Sequence, residues 1–189
     1  VTTALIIPRL ETEHLILRAP EAGDFDTYCA FATDPVRSAG FGTEENRSKA
    51  WRWFACNLGH WALRGYGYFT IEEKASGKPC GLSGIWAPEG WPEPEIGWVV
   101  YEGYEGKGIA FEAATRVREW AYTDLGFTTL TSNIVPGNTR SVALAERLGA
   151  WFEREYDNVH MGAEQLYRHP SPADLGLVAD ADGNPEAYA

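Results

Sequence analysis

From Val99 to Ala110 the chain reads Val-Val-Tyr-Glu-Gly-Tyr-Glu-Gly-Lys-Gly-Ile-Ala. A β-branched start, three glycines and a following apolar periodic run put a strand, a loop and a helix N-terminus in succession. A loop of this kind gathers several amide N–H groups into one concavity. The helix behind it adds the positive end of its dipole, so the natural guest is a phosphate or pyrophosphate. Gly106 and Gly108 let the backbone come close to an anion and permit positive φ, and Lys107 offers a charge. The loop is not a Walker loop, because Gly-Lys-Ser/Thr does not close it, nor a dinucleotide fingerprint, because Gly106-Lys107-Gly108 continues as Ile109-Ala110-Phe111. On the loop alone, a tight strand-to-helix turn without a ligand stays open. Other chemistries find little footing. His14, His60, His160 and His169 have no ligand spacing, so no metal site is expected. Cys29, Cys56 and Cys80 form no CxxC pair. No Gly-x-Ser-x-Gly elbow occurs.

The elements that must hold this loop alternate in period. Residues 14–19 read as a short strand, 21–34 as a helix ended by Pro35, and 43–64 as a second helix with Thr43 at its cap and Gly65 as its stop. Strands are expected at 66–74 and 80–86, joined by a turn at 75–78. A proline-rich loop carrying Trp91 follows, a candidate lid, and then a strand at 95–101. After the glycine loop come a helix at 109–125 with a small-residue face, a strand at 127–135, a helix at 138–148 and two closing strands at 151–156 and 159–168. This order predicts an α/β (α+β) domain over residues 1–168. Its mixed sheet would have six to seven strands flanked by about four helices, with residues 169–189 as a loosely attached acidic tail.

A second segment gives the loop its context. Asn138-Thr139-Arg140-Ser141-Val142-Ala143-Leu144-Ala145-Glu146-Arg147-Leu148-Gly149 follows the next expected strand. Together the two segments resemble the GNAT superfamily of acyl-CoA-dependent N-acyltransferases. The loop is similar to that family's pyrophosphate signature, Gln/Arg-x-x-Gly-x-Gly/Ala, placed on Glu105, Gly108 and Ala110. The second segment is similar to its Asn-x-x-Ser/Ala…Leu-Gly helix beside the pantetheine arm. The opening Leu10-Glu11-Thr12-Glu13-His14-Leu15-Ile16-Leu17-Arg18 resembles the RimJ/RimL-type branch. The likeness runs over about residues 9–168.

The resemblance implies a GNAT fold, acetyl-CoA as co-substrate, no metal, and a primary amine as acceptor, either a small molecule or a protein N-terminus. It assigns cofactor binding to Val99, Val100, Glu105, Gly106, Lys107, Gly108, Ile109, Ala110, Asn133, Asn138 and Ser141. Glu95 is its candidate base, with a solvated strand-end carboxylate as the other reading and Glu93 as a weaker base. Ser141 is its candidate for protonating the leaving thiolate, with a helix first-turn serine as the alternative. Two positions depart from the pattern. Glu105 stands where Gln or Arg is usual, so its carboxylate must turn away from the phosphates. Ala145 stands seven residues after the motif Asn, where many members carry a tyrosine. These departures give weight to a second reading, an acyl-CoA-binding regulatory or sensor module with little catalysis. Trp51, Trp53, Tyr66, Trp86, Trp91 and Trp98 are candidates for an acceptor cage, although each also suits a core. Homodimers are common in the family.

Composition sets the outer bounds. The 189 residues are 44% hydrophobic and 23% charged, which suits one globular domain. Sixteen basic against 27 acidic residues, a net −11, argue against nucleic acid and anionic membranes as partners and favour cationic ones. No apolar run is long enough for a membrane span. The opening residues lack the pattern of a signal peptide. With few, scattered cysteines, a cytoplasmic protein is expected.

Overall fold

A computed structural model describes residues 5–177. The elements are β1 (Leu10–Glu11), β2 (Leu15–Arg18), a 3₁₀ turn (Ala22–Asp24), α1 (Phe25–Ala32), α2 (Arg47–Arg64), β3 (Tyr68–Glu73), β4 (Lys78–Trp86), β5 (Glu95–Val100), α3 (Ile109–Thr123), β6 (Thr131–Ile134), α4 (Thr139–Arg147), β7 (Trp151–Asn158) and β8 (Gly162–Arg168). They form the expected mixed sheet flanked by helices. It has eight strands among the described residues, ordered β1-β2-β3-β4-β5-β6-β8-β7. The additional strand is β1, two residues that sequence periodicity cannot register but that pair antiparallel with Leu17 and Ile16. Every pairing is antiparallel except β5 with β6.

The sheet separates two apolar layers by the period-two alternation of its strands. Phe69, Ile71, Ile85 and Ile96 join Ala113, Ala114, Val117 and Ala121 of α3. The small side chains of α3, all fully buried, let the helix lie close on the sheet. Tyr68, Leu82 and Val99 join Phe25, Tyr28 and Phe31 of α1 and Phe54 of α2. The second helix starts later than its first polar residue suggests. Asn46, not Thr43, caps it, accepting bonds from the amides of Ser48 (3.0 Å) and Lys49 (3.1 Å). Thr43 is instead engaged by the Ser38 hydroxyl.

The stretch set apart from the sequence as a tail begins inside the core. His169 is 1% exposed, and Leu175 and Leu177 pack against the α3-side layer. The rest of that tail, from residue 178, lies outside the described residues. Burial and the neighbouring Arg118 push the His169 imidazole down to about 3, so it is neutral. Its Nε2–H donates to Ser132 Oγ (2.9 Å), whose own hydroxyl donates to the Ile96 carbonyl (2.7 Å).

A polar latch ties the 3₁₀ turn to the sheet. Asp24 takes two bonds from Arg18 (2.8 and 2.9 Å) and one from Thr70 (3.0 Å), while Arg18 Nε reaches Glu72 (2.6 Å). Burial works against the Asp24 charge, but these bonds outweigh it and hold its carboxyl below the ordinary range. A carboxyl lowered in the folded state adds stability above its unfolded pKa and loses it as pH falls through the folded one. Asp24→Asn is therefore expected to cost about 3 kcal/mol at pH 7. The difference from the native chain should shrink below about pH 4, the ordinary aspartate range, as read by urea denaturation across pH.

Candidate active site

The site is built where β5 and β6 part. These parallel neighbours share one register pair, Glu95 with Thr131, secured by the Thr131 amide on the Pro94 carbonyl (3.2 Å). Beyond it, side chains replace the ladder. Ser132 Oγ bridges to the Ile96 carbonyl, and the Asn133 amide donates to Glu95 Oε2 (3.2 Å). Past that point the strands diverge. Tyr101 N–H and the Gly97 carbonyl face β4, taking Cys80 O and Ser83 Oγ as partners. By alternation Val99 also faces β4, and Trp98 and Val100 turn their amides to the opening. Of the two valines expected to present backbone donors there, the geometry therefore favours Val100. Val99 contributes its buried side chain.

On one side of the fork lies a groove of about 700 Å³. It is lined by Val99, Val100, Glu105, Gly106, Gly108, Ile109 and Ala110 from the loop side and by Asn138, Arg140, Ser141, Leu144 and Arg147 from α4. Gly106 and Gly108 have φ of +75° and +81°, which only glycine adopts readily, and open space where a Cβ would stand. No hydrogen bond within the described residues engages the amides of Gly106, Gly108, Ile109, Ala110 or Phe111, so the loop and the first turn of α3 offer N–H groups to an anion. The loop carboxylate is engaged within the protein, although Glu105 stays among the groove's lining residues. Glu105 bonds to its own loop, at the Gly103 amide (2.8 Å), and to Arg37, which also holds Glu102 (2.9 Å). Those backbone bonds and Arg37 keep its carboxyl below the usual range. Lys107 leans over the Tyr104 ring, 5.0 Å from its centroid, and is not among the groove's lining residues. Arg140 and Arg147 line the groove with Arg37, and Arg147 sits over Phe111 at 4.1 Å. A diphosphate-bearing ligand suits this set: free amides at a helix start, two tolerant glycines and arginines to face the charge.

On the other side is a cavity of about 420 Å³, walled by Tyr28, Phe41, Trp53, Tyr68, Trp86, Trp91 and Trp98. Its charged lining is acidic. Glu44, Glu95 and Glu164 contribute to it, and no lysine or arginine does. His60 fixes one wall. Its ring stacks on Trp86 (4.3 Å), with Nδ1–H donating to Tyr66 O (2.6 Å) and Nε2 accepting from the Ala87 amide (3.2 Å). Burial favours the neutral ring that this pairing requires. Trp53 packs on Tyr28 (5.1 Å), Phe41 (5.0 Å) and Trp86 (5.5 Å). Of the other aromatic residues expected in a cage, Trp51 is half exposed against Phe25, and Tyr66 packs on Phe127 in the opposite layer.

Glu95 is buried at the fork, not solvated at a strand end. Loss of water, and then the charge of Glu164, push its carboxyl up to about 8. The Asn133 amide works the other way. The Trp91 indole and Asn133 side chain also favour the charged form by proximity, though neither meets hydrogen-bond geometry. The charge of Glu95 in turn acts on Tyr68 and Tyr156, and Tyr28, Glu44, Cys56 and His160 line the same cavity. Glu93 is elsewhere, tied with Glu153 to Arg168. Asn133, expected on the cofactor side, lines the cavity instead, and both ends of its amide are buried without partners. Tyr28 OH and Trp91 Nε1 on the same cavity are likewise unpartnered. Four of the five such buried atoms among the described residues thus belong to this one lining, the pattern of a site that expects a polar guest.

Cavity and groove meet at Gly40, Phe41, Trp98, Asn138 and Ser141. Asn138 caps α4, its Oδ1 accepting from the Ser141 amide (3.2 Å), which aims α4's first turn at the junction. Gly40 is required by contact, since a Cβ there would stand 2.3 Å from Asn138 Nδ2. The Ser141 hydroxyl has no hydrogen-bond partner among the described residues. Ala145 is fully buried against the β6–β8 layer, so no phenol could replace it without displacing core. Sequence reading missed Glu164, Phe41 and Arg37. The first lies in an ordinary alternating strand, and the others sit in a connection without periodicity.

The chain's likeness to known proteins identifies its family. The family model described as an acetyltransferase (GNAT) domain matches residues 14–150, and the chain belongs to that family. An acetyltransferase structure from Agrobacterium tumefaciens shares 36% identity at a TM-score of 0.80, covering 90% of this chain and 98% of that one. An uncharacterized N-acetyltransferase, p20, of Bacillus licheniformis is 28% identical over 152 residues, 77% of this chain and 83% of its own length. The fold is shared at 17% identity and a TM-score of 0.69 with spermidine N-acetyltransferase of Vibrio cholerae in complex with CoA and spermine, over 86% and 98% of the two chains. The protein is an acyltransferase of a family that draws its acetyl group from acetyl-CoA. No helix among the described residues is long and apolar enough to cross a membrane.

Gly108→Trp fills the cradle and places a side chain at positive φ. It is expected to weaken acetyl-CoA binding at least ~100-fold, about 2.7 kcal/mol, measured by titration calorimetry on protein whose circular dichroism is unchanged.

Proposed function

We propose that this protein transfers an acetyl group from acetyl-CoA directly to a primary amine of a small cationic molecule, within the RimJ/RimL-like branch of the family. The observation that carries the reading is the junction. A free hydroxyl, that of Ser141, stands where an acidic aromatic cavity with the buried Glu95 in its wall opens into a groove lined with free amides and arginines. A cavity of this size suits a small acceptor, or at most the first residue of an inserted peptide. Three unpaired cysteines suit a reducing, cytoplasmic setting.

Each group then has a task. The groove amides and arginines hold the diphosphate, and the thioester supplies an activated acetyl carbon. The Val100 amide donates to the carbonyl oxygen as charge develops there. The amine arrives as an ammonium with a pKa near ~10.4, and Glu95 receives its proton. The freed nitrogen bonds to the acetyl carbon and gives up its second proton to solvent, the carbon–sulfur bond breaks to leave the amide, and Ser141 relays a solvent proton to the departing thiolate. Ser141→Ala should lower kcat by about 10-fold or more while acetyl-CoA affinity changes little. An unchanged kcat removes Ser141 from the transfer.

Glu95 must be ionised to take a proton. With its carboxyl near 8, kcat/KM should rise about tenfold per pH unit up to about pH 8 and then bend. Glu95→Gln should erase that limb and cost roughly 10²–10⁴ in kcat/KM at pH 8, read by free-thiol release. An unaltered profile assigns the proton to another acceptor. Acetyl-CoA binding without transfer to any amine of a broad panel would favour the regulatory-module reading, to which the missing phenol at Ala145 lends support.

A further inference from the structure

Glu164 has no part in the transfer as described, yet it is among the most deeply placed charges in the protein, 4% exposed on β8. Two neighbours on the β7–β8 hairpin hold it. Tyr156 OH donates to its Oε2 at 2.7 Å, and Asn158 Nδ2 donates to the same oxygen at 2.7 Å. Oε1 has no hydrogen-bond partner among the described residues, and the carboxylate lines the aromatic cavity together with Glu95. The phenol of Tyr28, 1% exposed on the same cavity, is also without a partner. A buried carboxylate with one oxygen clamped and the other idle is held in place for a guest.

Charge balance says what kind of guest. Once Glu95 has taken the reacting nitrogen's proton, that nitrogen and Glu95 are both neutral. Glu164 is then left as a negative charge, with Glu44 as a second carboxylate, in an aromatic cavity whose lining holds His160 but no lysine or arginine. A monoamine leaves it uncompensated for the whole transfer. We propose that Glu164 is the recognition residue for a second, non-reacting cationic nitrogen, and that the natural acceptor is a small amine carrying two positive charges and no carboxylate. The inference rests on the acetyl-transfer reading and names its substrate class. It also gives Glu164 a part in timing. In the empty cavity its charge opposes ionisation of Glu95. A cation seated on Glu164 cancels that opposition, so Glu95 becomes a competent base when the correct acceptor is in place. The aromatic walls favour the same guest, since ring faces attract a desolvated cation.

The test compares α,ω-diamines of three to six carbons with the monoamine of equal carbon count. Their binding is titrated into the full chain saturated with desulfo-CoA. The best diamine is expected to bind at least tenfold more tightly than its monoamine match. In Glu164→Gln, which can still accept the Tyr156 and Asn158 bonds, the preference should fall to within twofold while desulfo-CoA affinity holds. No preference in the native chain, a preference that survives in Glu164→Gln, or no amine binding at all overturns the proposal. If the variant does not fold, the native comparison alone decides. Failure of the acetyl-transfer reading shows separately, as absent desulfo-CoA binding or absent thiol release with every amine. Thiol release from monoamines as readily as from diamines leaves that reading standing and removes this one.

Discussion

A carboxylate buried between two strands organises this molecule. Glu95 stands at the last paired position of β5 and β6, and its oxygen takes the amide of Asn133, the next donor on β6. In a regular parallel ladder that donor would be satisfied by the opposite backbone. Here a side chain satisfies it, and Ser132 does the same for the Ile96 carbonyl. The strands can therefore separate without leaving unpaired backbone at the fork. Beyond it, amides on the inner edge of β5 are left for a ligand. The same burial that makes the fork raises the proton affinity of Glu95, so one placement serves architecture and chemistry.

The fork also divides charge. The groove on the loop side gathers arginines and unengaged amides, and the cavity on the other side gathers carboxylates and aromatic rings. The two regions demand opposite ligands, an anion and a cation, and Ser141 and Asn138 lie where those ligands would meet. Glu105 would be out of place in the anion groove if its carboxylate faced it. Arg37 and the Gly103 amide engage that carboxylate instead, which offsets its charge at the groove.

Support for the fork comes from further away than the motifs suggest. His169, beyond the last strand, donates to Ser132, which in turn bonds to Ile96. Arg118 on α3 and burial keep that histidine neutral, the state its bonding requires. A segment with the composition of a tail thus starts by bracing the sheet from behind. Composition reports average polarity, whereas docking depends on a few side chains such as His169, Leu175 and Leu177.

The order of elements, the glycine loop and the Asn138 cap were legible in the sequence, because each rests on local physics. Periodicity marks amphipathic elements, positive φ demands glycine, and a helix start demands a polar cap. The two-residue β1, the start of α2 at Asn46 and the side to which Asn133 belongs were not, since pairing, competing bonds and strand rotation decide them. Nor was the second carboxylate. Glu95 and Glu164 lie on strands separated by β6 and far apart in the chain, and nothing in either neighbourhood marks one as the other's partner. The sequence by itself carried the likeness to the family, the glycine loop and the candidate groups for moving protons, because motif spacing and residue type are local. The tertiary structure alone decided that Glu95 is buried, that Glu164 shares its cavity and that their charges interact. Those are properties of distance and solvent exclusion, which arise only when strands remote in sequence close around the same space.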